Sequence, residues 1–93
     1  MPYIKQSDRD NLNKLVLEFQ DKLNCNPGEL NYLITQLCLT YLSKKITSAG
    51  TEANCYADYN DVVGALESAK LELYRRPIAS YEQEKIKQNG DVY

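Results

Sequence analysis

Residues 27–46 read P-G-E-L-N-Y-L-I-T-Q-L-C-L-T-Y-L-S-K-K-I, and their pattern decides the fold. At about 100° per residue, Leu30, Leu33, Ile34, Leu37, Cys38 and Tyr41 fall on one apolar stripe of a helix. Tyr32, Thr35, Leu39, Leu42 and Ile46 fall on a second, at alternating steps of three and four, the spacing of a coiled-coil seam. A helix that buries two stripes needs chain on both sides. In 93 residues a second copy is a ready source of the missing side. The first stripe is therefore expected to face helices of the same chain. Tyr32, Leu39, Leu42 and Ile46 are expected to form the interface of a homo-oligomer.

Working towards the N-terminus, Asn24 to Glu29 form a short link. Asn26 is a good helix cap, Pro27 suits the first helical position, and Glu29 can reach back from the third. Before it, Leu12, Leu15, Val16, Phe19 and Leu23 make a single amphipathic stripe, with Ser7 as its expected cap and Asp8 and Asp10 in the first turn. So short a link predicts that helices one and two are antiparallel neighbours. Residues 1–6 read as an extended arm.

Towards the C-terminus, Thr47 to Cys55 has the composition of a loop. Asp58 is the expected cap of a third helix whose buried side carries Tyr59, Val62, Val63, Leu66, Ala69 and Leu73. Pro77 disfavours helical geometry at Arg76, so this helix is expected to stop near Arg75. Ser80 then caps a short polar helix that ends at Asn89-Gly90. The fold expected is all-α: one domain, 1–93, with helices near 8–24, 27–47, 58–75 and 80–88. Three of them form an antiparallel unit with a short C-terminal helix, assembled as a helical homo-oligomer.

Hydrophobic residues make up 43% and charged residues 26% of the chain, which suits a folded rather than a disordered protein. A domain of this size buries only about 60–65% of its unfolded surface, so association is a natural way to enlarge its core. Eight Tyr, one Phe and no Trp favour half-buried seams over a deep apolar core. A net charge of −2 supplies no drive towards duplex nucleic acid or an acidic membrane. Three Cys without a C-x-x-C pair point to a reducing compartment. No signal peptide or membrane span is read, so a cytoplasmic location is expected.

Met1-Pro2-Tyr3-Ile4-Lys5 opens the sequence, and Gly28-Glu29-Leu30-Asn31-Tyr32 heads the second helix. Tyr56-Ala57-Asp58-Tyr59-Asn60 and Leu71-Glu72-Leu73-Tyr74-Arg75-Arg76 bracket the third. Tyr81-Glu82, Lys85-Ile86 and Asn89-Gly90-Asp91-Val92 follow. In these motifs the chain resembles a family of small uncharacterised proteins of prokaryotes and their phages, classed as a domain of unknown function. The resemblance spans essentially the whole chain and is weakest from Thr47 to Cys55. Pro77 stands where an aliphatic residue is expected. The resemblance implies a compact prokaryotic or phage protein, and it implies no activity.

The chain has no His, which removes the commonest general base, the usual partner of a Ser or Cys nucleophile, and the commonest metal ligand. Cys25, Cys38 and Cys55 lack zinc spacing, and Gly28, Gly50, Gly64 and Gly90 are too scattered for a phosphate loop. No cofactor or metal is expected. Glu67 and Glu72, with Glu29, offer oxygen ligands for Mg²⁺, but i,i+3 and i,i+4 pairing with Lys70, Arg75 and Arg76 explains the two on helix three more simply.

The strongest candidate site is Lys70, Tyr74, Arg75 and Arg76. Lys70 and Tyr74 share a helix face, guanidinium forks match phosphate or carboxylate, and a Tyr ring offers a stacking platform. Lys44 and Lys45 join it if the register or a second subunit brings them near. The simpler alternative is a set of cations that complement a helix end. Together these residues predict a non-catalytic helical oligomer that binds or sequesters a small anionic, nucleotide-like ligand. Small helical phage oligomers that soak up cyclic-nucleotide signals are an analogy of size and setting only. The alternative is a structural or protein–protein interaction module with no small-molecule ligand, and a carboxylate-based metalloenzyme ranks third.

Overall fold

The computed structural model describes residues 4–93. Residues 1–3 of the arm expected at 1–6 lie outside them, and Gln6 is already helical. The described residues form helices and no strand: α1, Gln6–Lys22; α2, Pro27–Ala49; α3, Tyr56–Leu73; a wider π-helical stretch, Tyr74–Ile78; and α4, Ala79–Asn89. The chain falls into two units, Met1–Ser43 and Lys44–Tyr93.

In the first unit, α1 starts one residue before its expected cap. Lys5 is the cap, and its carbonyl accepts from the N–H groups of Asp8 and Arg9, both at 3.0 Å. Gln6 Nε2 then donates to Asp10 Oδ1 at 3.0 Å, so an exposed side-chain bridge braces the first turn instead of the Ser7 hydroxyl.

The start of α2 follows the sequence closely. Asn26 Oδ1 accepts from Gly28 N–H at 2.8 Å and from Glu29 N–H at 3.4 Å, satisfying two of the helix's orphan donors. Glu29 reaches back past the cap to Asn24. Its Oε1 accepts from Asn24 N–H at 2.7 Å and its Oε2 from Asn24 Nδ2 at 3.3 Å, while Asn26 N–H donates to Asn24 O at 2.8 Å. The link between α1 and α2 is therefore a pinned elbow rather than a slack loop.

That elbow does not close the two helices into a core. Among the described residues α1 and α2 do not pack along one another, and no described residue is buried. Leu30, Ile34, Leu37 and Tyr41, expected to face the same chain, are 40–55% exposed. On α1, Leu12, Leu15, Val16, Phe19 and Leu23 are also exposed. Among the described residues of the first unit, α1 and α2 do not bury these side chains against one another. With Leu23 held extended (φ −76°, ψ 126°) and Asn24 bonded to Glu29, the hydrogen bonds of the elbow set where α1 points.

α2 also runs further than its composition suggests. Thr47, Ser48 and Ala49 continue the helix, and Gly50 ends it in the left-handed region at φ 66°. Gly50 N–H donates to Thr47 O at 3.3 Å and Thr51 N–H to Ile46 O at 3.1 Å, the paired bonds of a Schellman stop. Ser and Thr read as loop formers, but a helix can carry them until a glycine offers this exit.

In the second unit, α3 begins at Tyr56 with Cys55 as cap, so Asp58 is the third helical residue rather than the cap. From there its carboxylate reaches back: Cys55 N–H donates to Asp58 Oδ2 at 3.2 Å. An acidic residue can serve a helix start from either position, and here it closes the box from inside.

The larger difference is at Pro77. Instead of stopping near Arg75, the backbone stays helical through the π-helical stretch and into α4. In an α-helix the Pro77 ring would crowd the carbonyl of Leu73 and leave it without a donor. Widening the turn avoids the clash. Ala79 N–H accordingly reaches back to Tyr74 O, five residues earlier, as well as to Arg76 O. Ser80, expected as a cap, lies inside the helix, where its hydroxyl donates to Arg76 O at 3.0 Å. α4 stops as expected, at Gly90, with φ 85° and its N–H on Ile86 O at 2.8 Å.

Candidate functional site

The residues at the end of α3 come together because they are close in sequence on one helix. Tyr74 N–H is shared between Leu71 O and Lys70 O. This bifurcated bond marks the point where the α-helical register begins to widen. Lys70 sits one turn before Tyr74, with Arg75 and Arg76 directly after.

Glu72 organises the cations. Arg75 Nη2 donates to Glu72 Oε2 at 3.0 Å and to Oε1 at 3.3 Å, and Arg76 Nε lies 3.4 Å from the same Oε2. Lys70 Nζ pairs with Glu67 Oε1 at 3.6 Å. Two guanidiniums therefore share one carboxylate. Their side chains remain 59% and 66% exposed, and Tyr74 is 50% exposed beside them. Exposed pairs of this kind are weak and screened by salt. An incoming phosphate or carboxylate can compete for the guanidiniums without breaking a buried network.

Lys44 and Lys45 do not join this cluster within one chain. Lys45 lies by Asp58, at the opposite end of α3. From Asp58 to Arg75 a helix rises on the order of 25 Å. A polar group that no sequence motif announces forms at that end. Asn54 Nδ2 donates to Asp58 Oδ2 at 3.1 Å, alongside the Cys55 N–H, and Lys45 adds its charge. In that order these interactions hold the Asp58 carboxyl below its usual value of 3.8. The signal available in the sequence was Asn54 four residues before Asp58, within reach of the first turn.

The sign of this shift sets a pH dependence. A carboxyl whose folded pKa is depressed stabilises the fold above its unfolded pKa, and that contribution is lost as pH falls through the lower folded value. The first turn of α3 should therefore loosen on acidification below the ordinary Asp range, and the Asp58→Asn variant should lack this component. Amide exchange at Tyr59 and Asn60, followed over a descending pH series, reads it directly. Equal acid sensitivity in both proteins would place the titrating group elsewhere.

The carboxylates considered for Mg²⁺ are each engaged locally: Glu29 with Asn24, Glu67 with Lys70, and Glu72 with the Arg pair. Among the described residues, no group of three Cys, Asp or Glu side chains is placed to hold a metal ion. All three thiols are free; Cys25 and Cys55 are exposed and Cys38 is half-buried. No helix among the described residues is long and apolar enough to cross a membrane.

Of the residues named for the oligomer interface, Tyr32 and Leu39 are exposed at 62% and 52%, and Leu42 and Ile46 are half-buried. The arrangement defines an all-helical protein with open apolar helix faces and an exposed Arg–Tyr cluster at a π-helical turn. The chain belongs to the family described as a domain of unknown function, DUF6899, whose profile it matches over residues 1–92. Neither a curated protein nor a solved structure matches it.

Proposed function

We propose that this protein works by association rather than catalysis, as a homo-oligomeric helical interaction module. One observation carries the reading: no described residue is buried, although α1, α2 and α3 all carry apolar stripes. Contiguous exposed apolar surface on a small protein marks an interaction site. Neither unit by itself covers its stripes, and a second copy presents the same apolar surface in return.

A second reading has its own support. Two exposed guanidiniums on the half-buried Glu72 carboxylate, with the exposed Tyr74 adjacent, suit a small anionic ligand such as a nucleotide or a cyclic-nucleotide signal. In an oligomer the sites of several copies, with Lys44 and Lys45 of neighbours, would then hold or sequester it. A thermal-shift screen with mononucleotides and cyclic dinucleotides tests this. A ligand present at 100 times its Kd stabilises by about 2.7 kcal/mol. Replacing Arg75 and Arg76 together with Ala should remove that shift and leave the assembly mass unchanged. If no nucleotide moves the melting temperature, the protein is an interaction module alone.

A further inference from the structure

α2 carries no charged side chain between Leu30 and Ser43. Its charges sit only at the ends, Glu29 in the first turn and Lys44 and Lys45 near the last. Interface cores are depleted of charge in this way, with the charged groups left to the rim. The most continuous exposed apolar line on the helix is Leu30, Ile34, Leu37 and Tyr41, at steps of four, three and four. Those are coiled-coil steps, and they lie on the stripe that the sequence had assigned to the same chain.

We propose that a second copy of this chain docks antiparallel along that line, with the two-fold axis near Leu37. This rests on the reading of the protein as a homo-oligomer and names its central contact. Charge selects the direction. An antiparallel copy brings Glu29 of one chain to the end that carries Lys44 and Lys45 of the other, and it opposes the two helix dipoles. A parallel copy sets the lysine pairs side by side.

Chains reduced to a single cysteine test the contact. Cys25 and Cys55 are changed to Ser throughout. Retaining only Cys38, near the axis, should give a covalent dimer with a bismaleimide of about 8 Å reach. In a Cys38→Ser background, N31C and K45C chains should cross-link when mixed, and neither should cross-link alone. In an antiparallel pair each of these positions is at least about 18 Å along the axis from its own counterpart. A light-scattering mass is recorded for every sample. An oligomer in which N31C links to itself overturns the antiparallel contact and leaves the homo-oligomer standing. A monomer with no cross-link overturns both.

Discussion

Leu37→Glu is expected to turn the assembled protein into monomers. In the single chain Leu37 is 55% exposed, and Glu is nearly as good a helix former as Leu. Within one subunit the substitution is therefore close to neutral, and its effect must arise where chains meet. At an α2–α2 seam each copy loses a buried apolar side chain, a change that costs about 2–5 kcal/mol at core positions. Each also gains a carboxylate that must stay solvated. Because a two-fold contact counts the change twice, dissociation should strengthen by at least about a thousandfold. Sedimentation at micromolar concentration reads the mass, and circular dichroism reports how much helix survives in the separated chains. Val92→Glu is the matched control, since Val92 is 92% exposed near the end of the chain and its change should leave the mass alone. If Leu37→Glu sediments like the unmodified protein, α2 is not the seam.

Pro77→Ala is expected to make the protein more stable while changing the geometry after Arg76. A proline inside a helix costs about 3 kcal/mol relative to alanine. The π-helical turn absorbs part of that by moving the Leu73 carbonyl out of the way. Restoring an N–H at position 77 lets the backbone return to regular i→i+4 bonding, with a gain of about 1–3 kcal/mol. Removing the extra residue from the turn also rotates everything beyond it by about 100°. The side chains of α4 would then turn to a different side of the helix relative to Arg75 and Arg76. Stability should rise, and any binding that uses both segments should fall. Wide turns of this kind are often kept at functional sites despite their cost, and this variant separates the two effects. Thermal melts, with ¹³Cα shifts from Tyr74 to Ile78, provide the measurement. A lower melting temperature would mean that the proline ring itself makes a stabilising contact.

What the sequence made legible were features set by a few neighbouring residues. Asn26-Pro27-Gly28-Glu29 announces the start of α2 because each residue does one local job: capping, fixing φ, and reaching back. Asn89-Gly90 announces the end of α4 because only a glycine takes its positive φ without strain. The pairing of Glu72 with Arg75 and Arg76 was legible for the same reason, since i,i+3 and i,i+4 spacing on a helix brings side chains together.

The rest failed where a local rule had a second solution. Pro77 favours a stop, but a wider turn also satisfies it. Thr47 to Ala49 has the composition of a loop, but the helix continues until Gly50 provides an exit. Asp58 suits a cap and does its capping from the third position. The division of labour on α2 needs more than a local rule. Two apolar stripes tell that a helix has two partners, but not which stripe faces which. That choice depends on where the Asn24–Glu29 elbow sends α1, a three-dimensional consequence that no periodicity encodes.

The mass of the protein in solution tests its association most directly. Light scattering or sedimentation equilibrium, run from nanomolar to micromolar concentration, should give a multiple of 10.7 kDa. The helical signal should fall as dilution separates the chains, because no core within either unit sustains them. A constant mass of 10.7 kDa with full, cooperative helicity at every concentration would contradict it.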